Sequence, residues 1–286
     1  MTLTRFNLLH RRFTKLVGTD LAGLAPGVIP TLLRDTDAYL AAPREPELGP
    51  DHTPFFLAST LRSAALRILA AAGDLPWRGE LAAFIDRLPL EEELPNGARF
   101  SSDLVSIHAR FWAEALAPLV GKPALNGLEV GSFEGRSCFW FLDNVLTHPT
   151  CRMWCIDSFD FSGQGRAYNN PGSNLQDRFD HNVAAAGRTA QVKKIFGRSQ
   201  EQLRQLPLDT FDMAYIDGSH RMADVLEDVV LTWRLLRAGA VLILDDYKQR
   251  VPPDHIPGVA IDAFMTCFAG AFTELHRGHQ MILRKN

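Results

Sequence analysis

The chain has 286 residues, 46% of them hydrophobic and 22% charged, which suits one α/β domain with a substantial extra segment and a core large enough to need no disulfides. Thirty Lys and Arg against 33 Asp and Glu leave a net charge of -3, so no broad field draws the chain to nucleic acid or to an anionic membrane. No apolar run reaches membrane-spanning length, no signal-peptide pattern is present, and four cysteines without a disulfide spacing fit a reducing cytoplasm.

In chain order, residues 1–120 read as helical and contain no repeat or low-complexity tract. "TRFNLLHRRFTKLVG" (4–18) is basic and amphipathic, and is expected to be a solvated surface helix. "AAPREPELGPDHTP" (41–54) is a proline-rich connector. "TPFFLASTLRSAALRILAAAG" (53–73) and "SSDLVSIHARFWAEALAPLVG" (101–121) carry apolar residues at helical spacing, with Ser101 or Ser102 as the cap of the second. Between them "LPLEEELPNGARF" (88–100) is a loop by its prolines and Asn-Gly. This segment is expected to shape a substrate pocket or to form the interface of a homo-oligomer.

From about residue 125 the rhythm changes to short apolar strands alternating with helices. Strands are expected at 127–131, 151–157, 191–196, 211–217 and 240–246, with a helix over 222–239 that stops at Gly239. This alternation implies a parallel sheet. The tail "AFTELHRGHQMILRKN" reads as two strands turning near Arg277-Gly278, an antiparallel hairpin that closes the sheet. Cys151 and Cys155 lie on an apolar strand and read as buried thiols. Four strands end in or carry acids: Glu129, Asp157, Asp217 and the pair Asp245-Asp246. In open α/β sheets ligands bind beyond the carboxyl ends of the strands, so these acids should share one rim.

Three further stretches carry chemistry. "LEVGSFEGRS" (128–137) runs from strand through a glycine turn into a helix; Gly131 allows close backbone approach, Gly135 allows tight packing, and Ser132 and Ser137 with the helix amides could hold a carboxylate. Asp157 at a strand end can accept from both hydroxyls of a ribose, or else cap a helix. In "FGRSQEQL" (196–203), Ser199 and Gln200 could meet an adenine edge, while Ser199 also suits a helix N-cap. The loop 158–177, with Arg166 and Tyr168, is rich in Gly, Asn and Ser and could close over a ligand or be an ordinary loop.

These segments resemble a class I S-adenosylmethionine-dependent methyltransferase. They are especially similar to small-molecule O-methyltransferases of the catechol type and to the macrolide-sugar (macrocin and mycinamicin) type. The resemblance runs from about residue 125 to the C-terminus. It implies a Rossmann-like, seven-stranded, mostly parallel sheet over residues 121–286, behind the helical segment 1–120. It places the methionine part of S-adenosylmethionine on Glu129, Gly131, Ser132, Phe133, Gly135 and Ser137. The ribose falls to Asp157 and Ser158, and the adenine to Gly197, Arg198, Ser199 and Gln200. Asp217 adjoins the cofactor and, with Asp245 and Asp246, forms the metal set; His220 and Asp217 are the catalytic pair.

Three carboxylates on adjacent strand ends repel unless a cation lies among them, and hard oxygen donors suit Mg²⁺. The alternative is that Asp245 or Asp246 caps a loop or pairs with Lys248 or Arg250. A hydroxyl is a poor nucleophile: even a phenol ionises only near ~10. A cation lowers that value and a histidine, ordinarily near ~6.5, can take the proton. His220, three residues beyond Asp217, can reach the rim, and a histidine at this place favours the macrolide-sugar comparison. The expected function is methyl transfer to a small-molecule hydroxyl, of a sugar or phenol in a secondary metabolite. An N-methyltransferase, a hydroxylase-like metal enzyme on this scaffold, and a non-catalytic cofactor-binding partner are the alternatives.

Overall fold

The computed structural model describes residues 5–17, 19–42, 53–160, 175–250 and 253–286. Its described residues form two compact units, one from residues 5–95 and 99–108, the other from 96–98, 109–160 and 175–286. No helix among the described residues is long and apolar enough to cross a membrane.

The first unit holds helices α1 (Arg5–Leu16), α2 (Val28–Leu40), α3 (Pro54–Ala71) and α4 (Arg78–Arg87). The basic helix α1 is more than a surface element. Its stripe Phe6, Leu9, Phe13 and Leu16 is buried in one cluster with Leu32, Leu61, Ile68, Leu81 and Phe84. Apolar residues at this helical spacing line one face and must find partners. Thr53 caps α3, its Oγ1 accepting from Phe56 N at 3.0 Å, with Pro54 in the first turn. Most of the connector, residues 43–52, lies outside the described residues. The expected loop 88–100 contains a two-stranded antiparallel ladder, β1 (Glu92–Glu93) with β2 (Arg99–Phe100).

The helix expected over 101–121 is shorter than its periodicity suggests: α5 spans Ala109–Leu116, followed by a 3-10 turn at Ala117–Leu119. Buried Asp103 competes with the helix. Its Oδ1 accepts from Val105 N (3.2 Å) and Ser106 N (3.0 Å), and its Oδ2 from Ser106 Oγ (2.6 Å). Such a side-chain turn offers the backbone an alternative to helix, and α5 begins only at Ala109, beyond the expected caps Ser101 and Ser102.

The second unit contains β3 (Asn126–Val130), α6 (Arg136–Asn144), β4 (Arg152–Asp157), α7 (Leu175–Ala185), β5 (Val192–Phe196), α8 (Ser199–Leu203), β6 (Phe211–Ile216), α9 (Met222–Leu235), β7 (Leu236–Leu244), α10 (Pro257–Cys267), β8 (Phe272–Arg277) and β9 (Met281–Lys285). All seven expected strands are present in one sheet, in the order β5-β4-β3-β6-β7-β9-β8. The first five are parallel, and β9 pairs antiparallel with both β7 and β8. This is the Rossmann-like sheet with a C-terminal hairpin. Chain order reverses at the β3–β6 junction, the switch point where such sheets open a ligand crevice. The helix expected over 222–239 ends at Leu235, because Leu236 pairs with Phe211 in the ladder and the strand bulges before Met213 pairs with Val241. Gly239, at φ +80°, serves this bulge rather than a helix end.

Strand alternation sorts the core. Leu128, Val130, Ala214, Ile216, Leu242 and Leu244 face Val229, Trp233, Ile261 and Phe264 of α9 and α10. The intervening residues face the other way, where Trp112 of α5 lies 4.7 Å from Phe141 of α6 and 5.1 Å from Tyr215 of β6, centroid to centroid. Glu129, Tyr215, Asp217 and Asp245 are in phase with this second face. Cys138, Cys151 and Cys155 are buried free thiols.

Candidate active site

Register brings the strand ends level: Val130 pairs with both Ile156 and Ile216, and Ile216 with Leu244. The ladder runs one step further, with Gly131 N on Ile156 O (2.9 Å), Asp217 N on Val130 O (2.8 Å) and Asp245 N on Ile216 O (3.0 Å). The acids therefore stand side by side on one rim. Of the five described non-glycine residues at positive φ, three are on this rim: Phe133 (48°), Phe159 (50°) and Asp246 (55°). Left-handed backbone costs about 1 kcal/mol or more per residue, and such strain gathers at functional sites.

Glu129 is fully buried on β3. Its Oε1 accepts from Ser137 Oγ at 2.5 Å, while Oε2 has no hydrogen-bond partner. Burial pushes its carboxyl up to about 7 against the Ser137 hydrogen bond. Ser132 Oγ, close enough to favour the carboxylate, is buried without a hydrogen bond of its own. A buried carboxylate oxygen left unmet is costly, and a bound ammonium would meet it; the α-amino group of a methionine part fits this place. Ser137 spends its proton on Glu129 and so cannot donate to a ligand carboxylate as well.

Gly131 proves necessary for a reason other than ligand approach. A Cβ there would lie 2.1 Å from Asp217 O, at φ +86°. Gly131→Ala is expected to destabilise the fold by about 3 kcal/mol or more, read as a lowered urea midpoint. Gly135, at φ +87°, lets the rings of Phe139 and Phe179 come within 3.2 and 3.3 Å of where its Cβ would be, the tight packing its position suggests.

Asp157 closes β4 and ties two turns. Its Oδ2 accepts from Phe133 N (2.8 Å) and its Oδ1 from Phe159 N (2.6 Å). Burial raises its carboxyl pKa against these bonds. Each oxygen keeps a second lone pair for a ribose hydroxyl. Ser158 Oγ accepts from Asp160 N at 3.4 Å. Residues 161–174, with Arg166 and Tyr168, lie outside the described residues. After β5, Gly197 at φ +135° leads into exposed Arg198, then Ser199 and Gln200 open α8. Ser199 Oγ and Gln200 Nε2 both donate to Asp228 of α9, at 3.0 and 3.1 Å.

The acid cluster is denser than the sequence suggests. Tyr215 OH reaches Asp217 Oδ2 at 2.9 Å and, more closely, Asp245 Oδ2. Gln280 Nε2 donates to the same Asp245 Oδ2 at 2.9 Å, and Trp112 Nε1 donates to Gln280 Oε1 at 2.6 Å. Asp246 N donates to Asp245 Oδ1 at 2.6 Å. Asp246 itself stands between two imidazoles, His220 Nε2 on Oδ2 at 2.9 Å and His279 Nε2 on Oδ1 at 3.1 Å. His220 Nε2 is 4.0 Å from Asp217 Oδ1.

Burial drives Asp217 well above the usual carboxylate range, and the charges of Asp245 and Asp246 add to this. Burial would raise Asp246 too, but hydrogen bonds from His220 and His279 outweigh it and hold Asp246 well below that range. Burial lowers His220, yet its hydrogen bond to Asp246 and the charge there leave it raised; His279 is raised first by its own bond to Asp246. Tyr215 has one proton for two carboxylates, so the phenol alone cannot satisfy both. Donor atoms of Asp217, His220 and Asp246 lie within 4.8 Å of one another, a group that takes in His220 in place of the expected Asp245; two carboxylates and an imidazole can hold a divalent cation. A shallow depression open to solvent runs from these residues to Val225, Pro257 and Ile261.

Tyr215, His279, Gln280, Trp112 and Asp228 escape sequence reasoning. Only Tyr215 carried a signal, its two-residue offset from Asp217 on a strand.

Residues 128–247 match the family model described as a methyltransferase domain. An uncharacterized protein of Acanthamoeba polyphaga mimivirus is 28% identical over 156 residues, 51% of this chain and 62% of that protein. The chain thus spans 62% of the length of this curated relative. An O-methyltransferase from Bacillus cereus, solved with SAH, is similar at 14% identity and a TM-score of 0.48 over 88% of this chain and 97% of that one. The O-methyltransferase TomG from Streptomyces achromogenes, of tomaymycin synthesis and solved with SAM, gives 18% identity and 0.47 over 88% and 96%. The family match spans β3 to β7, the strands whose ends carry the acids of the rim, so residues 128–247 resemble a methyltransferase domain.

Proposed function

We propose that the chain transfers a methyl group from S-adenosylmethionine to a hydroxyl oxygen of a small molecule, assisted by a divalent cation, Mg²⁺ by its donor chemistry. One observation carries this reading. Along a single rim, a buried carboxylate oxygen with no partner at Glu129 stands beside a cluster of three aspartates and two histidines. The first place suits a cationic amino acid end, the second a cation and an acidic hydroxyl.

The chain's own part is binding, orientation and proton handling. Glu129 pairs with the ammonium, and Asp157 offers its remaining lone pairs to the ribose. Ser199 and Gln200, with Gly197 and Arg198, line the base. Asp217, Asp245 and Asp246 hold the cation, with Gln280 and Tyr215 fixing the carboxylate planes. When bound, the cation supplies Lewis acidity that lowers the acceptor hydroxyl's pKa. His220 then receives that proton. In the structure its Nε2 donates to Asp246 and its Nδ1 faces Gln249 at 3.0 Å, so the ring serves as a base only once Asp246 turns from it. Methyl transfer itself needs alignment above all, because the sulfonium is already activated. The acceptor is taken to be a sugar or phenol of a secondary metabolite. The helical unit is taken to wall the acceptor site or to join subunits.

His220→Ala is the test. With candidate hydroxyl acceptors, kcat is expected to fall about a hundredfold, while S-adenosylhomocysteine affinity stays within about threefold by calorimetry. An unchanged kcat removes His220 as the base. A product methylated on nitrogen assigns the chain to the N-methyltransferases instead.

A further inference from the structure

We infer that Asp228 sets the base specificity of the cofactor site by holding the Gln200 amide with its carbonyl oxygen outward, which selects adenine over a base that presents an oxygen at the same edge. This rests on the proposed reading that the Ser199–Gln200 segment faces the base.

Asp228 lies on α9 with no exposed surface. Its Oδ2 accepts from Ser199 Oγ at 3.0 Å and its Oδ1 from Gln200 Nε2 at 3.1 Å. Both contacts are donated to Asp228, so the amide turns its NH₂ toward the acid. Its Oε1 then points the other way, where no described residue donates to it. The side chain is half-buried rather than sealed, so this oxygen is available to a ligand. An outward acceptor pairs with the exocyclic amine of adenine. Against the 6-keto oxygen of hypoxanthine it sets acceptor against acceptor.

The buried acid is poorly explained as packing. Burial pushes its carboxyl up to about 7 against the bonds from Ser199 and Gln200, and Asp224 and Glu227 raise it further. A leucine there would pack at no such cost. What the carboxylate supplies and a leucine lacks is polarity, a fixed direction for the neighbouring amide. A side chain free to rotate could offer either end of its amide to either base. Discrimination through a polar group is strong only when that group cannot re-pair.

Calorimetry with S-adenosylhomocysteine and its deaminated analogue, S-inosylhomocysteine, separates the alternatives. The native chain should favour the adenosyl ligand by about tenfold or more, the worth of one hydrogen bond. Asp228→Ala should weaken both ligands and bring the ratio to within about twofold of unity. Asp228→Asn should keep most of the preference, because its amide oxygen still receives Gln200 and its NH₂ can reach Ser199 Oγ. Thermal melts establish that each variant is folded. A native chain that shows no preference, or prefers the inosyl ligand, overturns the inference without any variant. If Asp228→Ala lowers both affinities but keeps the native ratio, Asp228 is a tether between helices and nothing more. Gln200→Leu tells the two failures apart. Where it abolishes the preference and Asp228→Ala does not, the role of Asp228 fails and the base placement stands; where it leaves the preference intact, the base placement itself fails.

Discussion

Glu129→Gln is expected to weaken S-adenosylhomocysteine binding by more than about a hundredfold and, above pH 7, to make the protein more stable. The first effect follows from removing one member of a buried ion pair, which costs about 3 kcal/mol or more. The second follows from the same burial with no ligand present. The ordinary value of this carboxyl is 4.5, and the fold lifts it to about 7. Between those values the folded chain keeps a proton that the unfolded chain has lost, so stability falls as pH rises across this window. By pH 8 the accumulated penalty is about 3 kcal/mol. Glutamine avoids it, though its own NH₂ replaces the unmet Oε2 and cancels part of the gain. Chemical denaturation should give a net increase of about 1–2 kcal/mol at pH 8 and none at pH 4. The native chain's affinity should meanwhile strengthen as pH rises through about 7, because only the ionised carboxylate pairs with an ammonium. A pH-independent affinity, or a Glu129→Gln variant that binds as the native chain does, would place the amino group elsewhere.

Asp217→Asn is expected to lower turnover by about two to three orders of magnitude while leaving the domain folded. Asp217 is pressed by burial and by two neighbouring carboxylates, and shares the Tyr215 phenol with Asp245. Asparagine relieves that repulsion, so the melting temperature should hold or rise. What it loses is the negative charge that completes a cation site. Isothermal titration should therefore register Mg²⁺ binding to the native chain and little or none to the variant. Chelation should reduce the native rate to the variant's level. A native rate indifferent to chelation, together with an active variant, would falsify the metal-assisted part of the proposal. It would leave methyl transfer by His220 and alignment alone.

The sequence by itself determined the architecture of the second unit and the address of its site. Short apolar runs ending in acid, glycine turns after the strands and a closing hairpin are local features. Strand alternation alone places Tyr215 and Asp217 on one face, and the register that pairs Glu129 with Tyr215 adds Glu129 to it. The sequence overestimated one helix ahead of that sheet. The apolar spacing of 101–121 is real, but buried Asp103 turns the backbone before α5 can begin. Likewise α9 yields its last turn to the ladder at Leu236.

Only the tertiary structure decided how the site is wired. Trp112 and Gln280 are 168 residues apart yet hydrogen-bonded, and together they orient Asp245. His279 reaches Asp246 from a hairpin turn, and Asp228 reaches Ser199 and Gln200 from a neighbouring helix. None of these leaves a local trace. Periodicity reports which face a residue turns to its own element's surroundings, whereas a hydrogen bond between distant elements depends on where two separately formed pieces meet. For the same reason Asp157, expected on a ribose or at a helix cap, and Ser137, expected on a carboxylate of a ligand, are found already bonded to Phe133, Phe159 and Glu129. A buried polar group must be paired, and folding supplies its first partner before any ligand arrives.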